Sequence, residues 1–245
     1  MGKHKRSAAR ALGWLAERCE VVAVVCPEPD PLTVGEQRLD LVGDLPLATD
    51  AELYADPPEV DLVLSFLFWR LIRRPLIELP RLGCLNFHPA PLPDMRGLGG
   101  YNVAILERLS EWGVSAHFVD DEFDTGDLVV VERFPIDPDG ETAFSLDLKS
   151  QEALLGLFKR VVGRALRGEQ LPRSPQGEGR YVTRDELESL RRVRPGDDLE
   201  RKLRAFWYPP WPGATVEVDG RALTLVDERL LAEVAERYRD AGAIP

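Results

Sequence analysis

Hydrophobic residues follow two different periods along the first two thirds of the chain. Short runs rich in valine and leucine are typical of strands buried on both faces of a sheet. They alternate with segments in which apolar residues recur every three or four positions, which predicts helices. The predicted strands cover residues 21–25, 61–68, 84–87, 114–119 and 128–134, and the predicted helices cover residues 7–19, 101–109 and 142–166. This alternation predicts an α/β fold with a mostly parallel, Rossmann-like sheet and helices on both faces.

The composition of the chain changes near residue 168. Residues 168–180 contain three glycines and two prolines, which is typical of a linker. Beyond them, dense charge of mixed sign predicts one or two solvated helices, two short runs joined across Asp219–Gly220 predict a β-hairpin, and a last helix follows. These elements cover residues 185–205, 215–218 with 222–226, and 228–239. We therefore expect a catalytic domain over residues 1–167 and a small C-terminal α+β subdomain over residues 168–245.

The net charge limits the classes of binding partner, and the cysteine content indicates the cellular compartment. The 245 residues include 31 Lys and Arg against 42 Asp and Glu, so the formal net charge is −11. This acidity disfavours binding to nucleic acid or to anionic membranes, and no apolar run approaches a membrane span. The basic N-terminus is not followed by the apolar region of a signal peptide. Three cysteines without metal-like spacing suggest a reducing compartment, so we expect a cytoplasmic protein.

Candidate chemistry appears at the end of a predicted strand. Asn86 and His88 directly precede a proline-rich loop over residues 89–97. Ligands of open α/β sheets bind beyond the carboxyl ends of strands, and residues two apart in an extended segment project to the same side. Asp124 follows the predicted strand at 114–119, and a carboxylate near an imidazole favours the protonated ring. Together with an amide donor for an oxyanion, this set suits acyl transfer at a carbonyl carbon without a protein nucleophile.

The residues around this set resemble two signatures of the folate-dependent formyltransferases. Residues 86–93, Asn-Phe-His-Pro-Ala-Pro-Leu-Pro, together with Arg96-Gly97, are similar to the family's proline-rich loop. Residues 113–126, Gly-Val-Ser-Ala-His-Phe-Val-Asp-Asp-Glu-Phe-Asp-Thr-Gly, resemble the second signature. The resemblance spans roughly residues 60–136 and implies N10-formyltetrahydrofolate as donor co-substrate and a primary amine as acceptor.

The resemblance also implies roles for individual residues. Asn86, His88 and Asp124 take the catalytic places: Asn86 would bind the formyl oxygen as it gains charge, and Asp124 would support His88. His88 would either transfer a proton or stabilise charge as an imidazolium. The family holds the pteridine largely through backbone groups. The matching cofactor-binding residues are Phe68, Arg70, Leu71, Ile72, Val119, Asp120, Asp121 and Glu122. No metal is expected, although His88, His117 and Asp124 are of types that can bind zinc.

The acceptor is expected to be an amino sugar, with a nucleotide-linked sugar as one form. Residues 209–214, Pro-Pro-Trp-Pro-Gly-Ala, are similar to the C-terminal part of sugar N-formyltransferases, and net acidity disfavours methionyl-tRNA. Acceptor contacts are expected from Arg96, Tyr101 and Asn102. The alternatives are another small amine such as glycinamide ribonucleotide, a folate-binding protein without turnover, and hydrolysis of the formyl donor. The oligomeric state stays open, with a homodimer as one alternative.

The chain departs from the family at its start. The family begins with a strand and a loop before its first helix, whereas the predicted helix begins here near Ser7. In the glycinamide ribonucleotide enzymes the same region supplies a phosphate-binding loop, so its absence disfavours that acceptor. Three explanations are open: the chain lacks the strand, the sequence starts inside a longer product, or another segment fills the gap in the sheet.

Several other residues have a structural and a functional interpretation. His117 on its predicted strand is either a satisfied core histidine or a neighbour of the ligand. Cys84 is a buried hydrophobe in preference to a nucleophile. Trp69 either stacks on a ligand or fills the core. The aromatic residues within 206–213 pack into the core by default, and the alternatives are docking of a partner and lining of the acceptor side.

Overall fold

The computed structural model describes residue 1 and residues 5–26, 45–209 and 211–240. In chain order the elements are α1 (Arg6–Ala16), α2 (Asp50–Ala55), β1 (Val63–Phe66), β2 (Cys84–His88), β3 (Met95–Gly97), α3 (Gly100–Leu106), β4 (Glu111–Phe118), β5 (Leu128–Pro135), α4 (Ala143–Leu166), β6 (Arg180–Val182), α5 (Arg184–Arg191), α6 (Leu199–Ala205), β7 (Thr215–Val218), β8 (Arg221–Thr224) and α7 (Glu228–Asp240). Within these ranges, no helix combines the length and the apolar character needed to cross a membrane.

Four strands form the main sheet in the order β1–β2–β4–β5. β1 and β2 run parallel, whereas β4 is antiparallel to both β2 and β5. The predicted α/β fold is confirmed, but the strand directions differ from the expectation of a mostly parallel sheet. The described sheet has one parallel pair and two antiparallel pairs. Residues 119–127 between β4 and β5 are too few for the helical crossover that parallel neighbours need, so these strands pair antiparallel.

The helix predicted over residues 142–166 is confirmed as α4, which covers one face of the sheet. Its start is capped because the Thr142 side chain accepts from the Ser145 N–H at 3.0 Å, while the Ser145 hydroxyl accepts from the Thr142 N–H at 2.9 Å. Its buried face places the Phe158 ring 5.4 Å from Phe66 and 4.8 Å from Phe87. Burying one such ring contributes about 1.5–3 kcal/mol. This packing places one face of β2 against α4. The alternate residues of β2 therefore point away from α4.

The expected strand over residues 21–25 forms no ladder with the main sheet. Within the described ranges, Val24 pairs with Leu47 as an isolated parallel bridge. The edge of β1 is instead contacted by Met1, whose carbonyl accepts from the Phe66 N–H at 2.9 Å and whose ammonium donates to the Leu64 carbonyl at 2.8 Å. A strand needs a continuous partner for its backbone groups, and Val24 is separated from β1 by an apolar cavity of about 70 Å³.

The region after residue 168 packs closely on the first part of the chain. The predicted linker is corrected: Ser174 exchanges two hydrogen bonds with Leu128, at 2.8 and 3.0 Å, and β6 pairs parallel with β3. No hydrophobic pattern in the sequence predicts the short strands β3 and β6. The β-hairpin is confirmed as β7 and β8, and the charged stretch as α5 and α6. The division into two domains at residue 167 stays a prediction. Val182, from the C-terminal region, lies in one hydrophobic cluster with Met95 and Trp112 from the first region.

Candidate active site

A polar face on β2 and β4 forms the base of the site. Asn86 lies opposite His117, and His88 lies opposite Ser115. Directly opposed residues of antiparallel strands project to the same face. Phe87, between Asn86 and His88, is fully buried in the core on the other face. The predicted side-by-side projection of Asn86 and His88 is therefore what the structure shows.

The amide of Asn86 is held in one orientation by two neighbours. The Nδ1 atom of His117 lies 2.7 Å from the Phe118 carbonyl oxygen, so we assign the proton of the ring to Nδ1. The Nε2 atom then accepts from Asn86 Nδ2 at 2.9 Å. On the other side, the Ser65 hydroxyl donates to Asn86 Oδ1 at 2.6 Å. The second N–H of Asn86 donates to Asp124 Oδ1 over a long Nδ2–Oδ1 distance of 3.5 Å, and an oxyanion can take the place of this acceptor.

The Asp124 carboxylate joins the set from the loop after β4. Its Oδ1 atom lies 3.3 Å from His88 Nδ1, and its Oδ2 atom accepts from the Gly97 N–H at 3.3 Å. The other ring nitrogen of His88 lies 3.2 Å from the Met95 carbonyl oxygen. Both ring nitrogens therefore face acceptors. A neutral ring carries one proton and satisfies one of them, whereas a protonated ring satisfies both.

Burial and charge act in opposite directions on this pair. Burial lowers the pKa of His88 below its ordinary value, and the Asp124 carboxylate opposes that effect. Burial alone would raise the pKa of Asp124, but the groups that lower it to about 2 include His88 and the Gly97 N–H. Asp124 is thus ionised at neutral pH. The His88 imidazole, whose pKa is lowered by burial and raised by a neighbouring carboxylate, is suited to taking up and releasing a proton.

The backbone of the Asp124 loop has little freedom. Asp124 adopts a left-handed conformation with φ of 60°, which aspartate tolerates better than most residues. A Cβ atom added at Gly126 would lie 2.0 Å from the Phe118 carbonyl oxygen, so only glycine fits there. The Phe118 N–H also donates to the Asp127 carbonyl at 2.8 Å. The Asp-Thr-Gly sequence therefore brings the carboxylate back over β4.

The proline-rich loop is fastened to β4. The Ser115 hydroxyl donates to the Ala90 carbonyl at 2.7 Å and accepts from the Leu92 N–H at 2.9 Å. The Trp112 indole donates to the Pro89 carbonyl at 3.2 Å. These contacts fix the loop that carries the groups facing His88 and Asp124.

The first predicted cofactor-binding stretch uses most of its side chains within the protein. Phe68 and Ile72 pack into one hydrophobic cluster, and Ile72 is 3% exposed. Arg70 forms an ion pair with Asp50 at 2.9 Å. The Leu71 carbonyl oxygen lies 3.5 Å from a tyrosine hydroxyl. A ligand at this stretch would have to be held chiefly by backbone groups.

The second predicted cofactor-binding stretch lies beside the first. The Val119 N–H donates to the Cys84 carbonyl at 2.9 Å, and the Asp120 carboxylate accepts from the Glu122 N–H at 3.2 Å. Asp121 forms an ion pair with Arg74 at 3.1 Å, which joins the two loops. The assignment of both stretches to the donor stays a prediction.

The three expected acceptor contacts are placed differently. Arg96 adjoins the site, next to Gly97, and its Nη2 atom donates to the Gln176 side chain at 2.9 Å and to the Gly177 carbonyl at 3.0 Å. The Asn102 amide donates to the carbonyl of Ala205, at the end of α6, at 2.6 Å. Tyr101 stacks on Trp112 at 5.6 Å, and burial raises the pKa of its phenol well above its ordinary value. Asn102 and Tyr101 thus make contacts within the fold.

Other residues with two interpretations now have defined surroundings. Cys84 is 1% exposed, and burial raises its pKa to about 12, which makes it a poor nucleophile. His117 is 2% exposed and orients Asn86. Phe206 and Trp207 are buried in a core cluster, whereas Trp211 is 40% exposed. In the part of the chain that the structure describes, no group of three or more His, Cys, Asp and Glu residues is arranged to hold a metal.

Three residues that contact the site were not singled out from the sequence. Ser65 is the polar residue of β1, and Ser115 lies between apolar residues of β4, a signal that could have identified them. Gln176 lies in the supposed linker, and nothing in its local sequence indicates a contact with the Asp124 loop.

Comparison with known proteins places these features in one family. The family model described as "Formyl transferase" matches residues 47–162. Methionyl-tRNA formyltransferase of Janthinobacterium sp. is 30% identical over 241 residues, which cover 87% of this chain and 74% of that protein. Methionyl-tRNA formyltransferase of Myxococcus xanthus is 35% identical over 183 residues, covering 73% of this chain and 56% of that protein. GDP-perosamine N-formyltransferase of Brucella melitensis is 30% identical over 173 residues, covering 66% and 62%.

Solved structures share the fold over nearly the whole chain. A 4-N formyltransferase from Francisella tularensis has a TM-score of 0.70 at 20% identity, with 93% of this chain and 95% of that chain covered. An N-formyltransferase from Helicobacter canadensis, in complex with folinic acid and dTDP-3-aminofucose, has a TM-score of 0.72 at 19% identity, with 93% and 87% covered. The chain spans less than two thirds of the length of the first curated relatives that it matches. Its motifs, its fold and the Janthinobacterium relative together show that this chain belongs to the formyltransferase family.

Proposed function

We propose that this protein is an N-formyltransferase that moves a formyl group from N10-formyltetrahydrofolate to the primary amine of an amino sugar. The observation that carries the proposal is the meeting of an amide, an imidazole and a carboxylate at one place. The Asp124 Oδ1 atom lies 3.5 Å from Asn86 Nδ2 and 3.3 Å from His88 Nδ1. Membership of the formyltransferase family supports the formyl carbon as the reacting centre of this set.

In this proposal Asn86 and His88 act on the reacting groups. The neutral amine of the acceptor attacks the formyl carbon, so a C–N bond forms and the carbonyl oxygen gains negative charge. The second N–H of Asn86 donates to that oxygen, a contact that typically contributes about 10²–10³ in rate. His88 takes the proton that the attacking nitrogen loses. When the bond from the formyl carbon to N10 breaks, His88 returns a proton to the leaving nitrogen, and no protein nucleophile is needed.

Two observations support an amino sugar as the acceptor: the names of similar proteins and the net charge of the chain. The Brucella relative is named for an amino sugar linked to a nucleotide, and the Helicobacter structure contains one. The net charge of −11 disfavours a tRNA, whose phosphates favour basic surfaces. Methionyl-tRNA formyltransferases nevertheless match at up to 35% identity. Methionyl-tRNA is therefore the second candidate acceptor, and the assay must include it.

Mass spectrometry of candidate amines incubated with N10-formyltetrahydrofolate tests the proposal. The panel contains nucleotide-linked amino sugars, glycinamide ribonucleotide and methionyl-tRNA. We expect the gain of one carbonyl group on an amino sugar. The gain should disappear in His88→Gln and persist in Glu152→Gln, which changes an exposed residue of α4. Release of formate without any acceptor, or tight donor binding with no transfer to any amine, would contradict the proposal.

A further inference from the structure

We infer that Gln176 is a positioning residue that holds the Asp124 carboxylate against His88. This inference rests on the proposed function, and it extends the site into a segment whose composition is typical of a linker.

The Asp124 loop needs an external support. Its backbone φ of 60° lies in the left-handed region, which a residue other than glycine keeps when its surroundings hold it there. Gly126 already touches β4, so the loop cannot move further inward. The Gly97 N–H donates to the carboxylate itself at 3.3 Å, and the Thr125 hydroxyl donates to the Asp120 side chain at 2.7 Å, but neither contact involves the backbone carbonyls of the turn.

Gln176 binds the Asp124 loop at two backbone carbonyls. Its Nε2 atom donates to the Asp124 carbonyl at 3.1 Å and to the Gly126 carbonyl at 2.6 Å. The two N–H groups of one planar amide therefore bridge both ends of the Asp-Thr-Gly turn. A rotation of the turn that carried the carboxylate away from His88 would break at least one of these hydrogen bonds.

The amide of Gln176 is itself fixed. Its Oε1 atom accepts from Arg96 at 2.9 Å, and Arg96 also donates to the Gly177 carbonyl at 3.0 Å. Arg96 is followed by Gly97, whose N–H binds Asp124. The contacts close a ring that joins β3, Gln176 and the Asp124 loop. An amide with its oxygen on a guanidinium and its nitrogen on two carbonyls has one orientation only.

The segment that carries Gln176 is anchored on both sides of it. Upstream, Ser174 exchanges two hydrogen bonds with Leu128, and downstream β6 pairs with β3 in a parallel register. Gln176 is half-buried, whereas Glu178 nearby is exposed. A side chain presented from a fixed backbone can transmit its position to the turn that it binds. The segment is thus part of the site, although it lies about 50 residues from the turn in sequence.

The test compares Gln176→Met with Glu178→Gln as a matched control. Methionine keeps the length of the side chain and removes both donors and the acceptor. We expect kcat for formyl transfer to fall by about 10–10²-fold, with KM for the donor nearly unchanged, because a displacement of the order of 1 Å can cost about 10²-fold. Glu178→Gln should retain the wild-type kcat.

A second measurement separates positioning from a merely structural role. The titratable groups that face His88 are Asp124 and His117, and the Asp124 carboxylate raises the pKa of His88. The NMR titration of the His88 ring in Gln176→Met should therefore move to lower pH, and the chain has only three histidines to assign. Unchanged kcat, or lower kcat with an unchanged His88 titration, would overturn the inference. If the wild-type protein formylates no amine, the proposed function fails, whereas the titration still decides the role of Gln176.

Discussion

Replacement of Asp124 by asparagine removes one charge from the site with little change in shape. Asparagine tolerates the left-handed backbone that Asp124 adopts, and its side-chain oxygen can still accept from the Gly97 N–H. The variant should therefore fold, which allows its activity to report on the charge alone. Asp139→Asn is a matched control, because Asp139 is exposed and pairs with Arg108 away from the site.

The distance between the two side chains sets the size of the effect. For opposite charges 3.3 Å apart, an effective dielectric constant near 20 gives a gross attraction of about 5 kcal/mol between Asp124 and a protonated His88. Part of this attraction is offset by the cost of burying the charges. Loss of acid–base assistance by His88 typically lowers a rate by about 10²–10⁴-fold. We expect a loss of this size in kcat/KM for Asp124→Asn.

The assay is formyl transfer to the amine found by mass spectrometry, followed across pH, together with the NMR titration of His88. The pKa of His88 should be lower in Asp124→Asn than in the wild type, because the carboxylate raises it. A folded Asp124→Asn protein whose kcat/KM stays within about threefold of the wild type would refute the role of the pair. Loss of activity in Asp139→Asn would show that the assay reports on folding instead.

Three further predictions concern the surroundings of this pair. Cys84→Ala should keep formyl transfer, because burial raises the thiol pKa to about 12, and a fall in kcat of about tenfold or more in the folded variant would argue for a nucleophilic role. Ser65→Ala should lower kcat and destabilise the protein by about 1–3 kcal/mol in denaturant titrations, since the Asn86 oxygen loses its partner; unchanged values would show that Ser65 does not orient Asn86. The pKa of Asp124 is about 2, below the ordinary 3.8, so its charge contributes stability that is complete above the ordinary value and is lost as pH falls through 2. The free energy of unfolding of the wild type relative to Asp124→Asn should therefore fall by about 2 kcal/mol over that range, and a pH-independent difference would contradict the pKa.

The sequence predicts most of the site because the site follows strand periodicity. Asn86 and His88 share a face since they are two apart on one strand, and the prediction needs no tertiary information. The position of Asp124 just after the strand at 114–119 suggests that it joins the set, but no hydrophobic pattern predicts the positive φ of its loop. The orientation of Asn86 depends on the pairing of β1 with β2, which brings Ser65 beside it. No local pattern specifies that register.

The parts that could not be predicted depend on contacts between distant segments. Residues 21–25 have the composition of a strand, but a strand also requires a paired neighbour, and among the described residues Val24 forms a single bridge with Leu47. The short strands β3 and β6 hold each other by backbone hydrogen bonds, which almost any sequence can make. The residues around Gln176 have the composition of a linker. The role that we propose for Gln176 depends on its position in the fold, where β6 anchors this segment beside the Asp124 loop.

The most direct test of the proposed site is a crystal structure with an analogue of N10-formyltetrahydrofolate that keeps the carbonyl of the formyl group but cannot transfer it. We predict that the carbonyl oxygen lies about 3 Å from Asn86 Nδ2, with the carbonyl carbon facing His88 and Asp124. A pterin bound elsewhere on the molecule, or a carbonyl directed away from all three side chains, would contradict it.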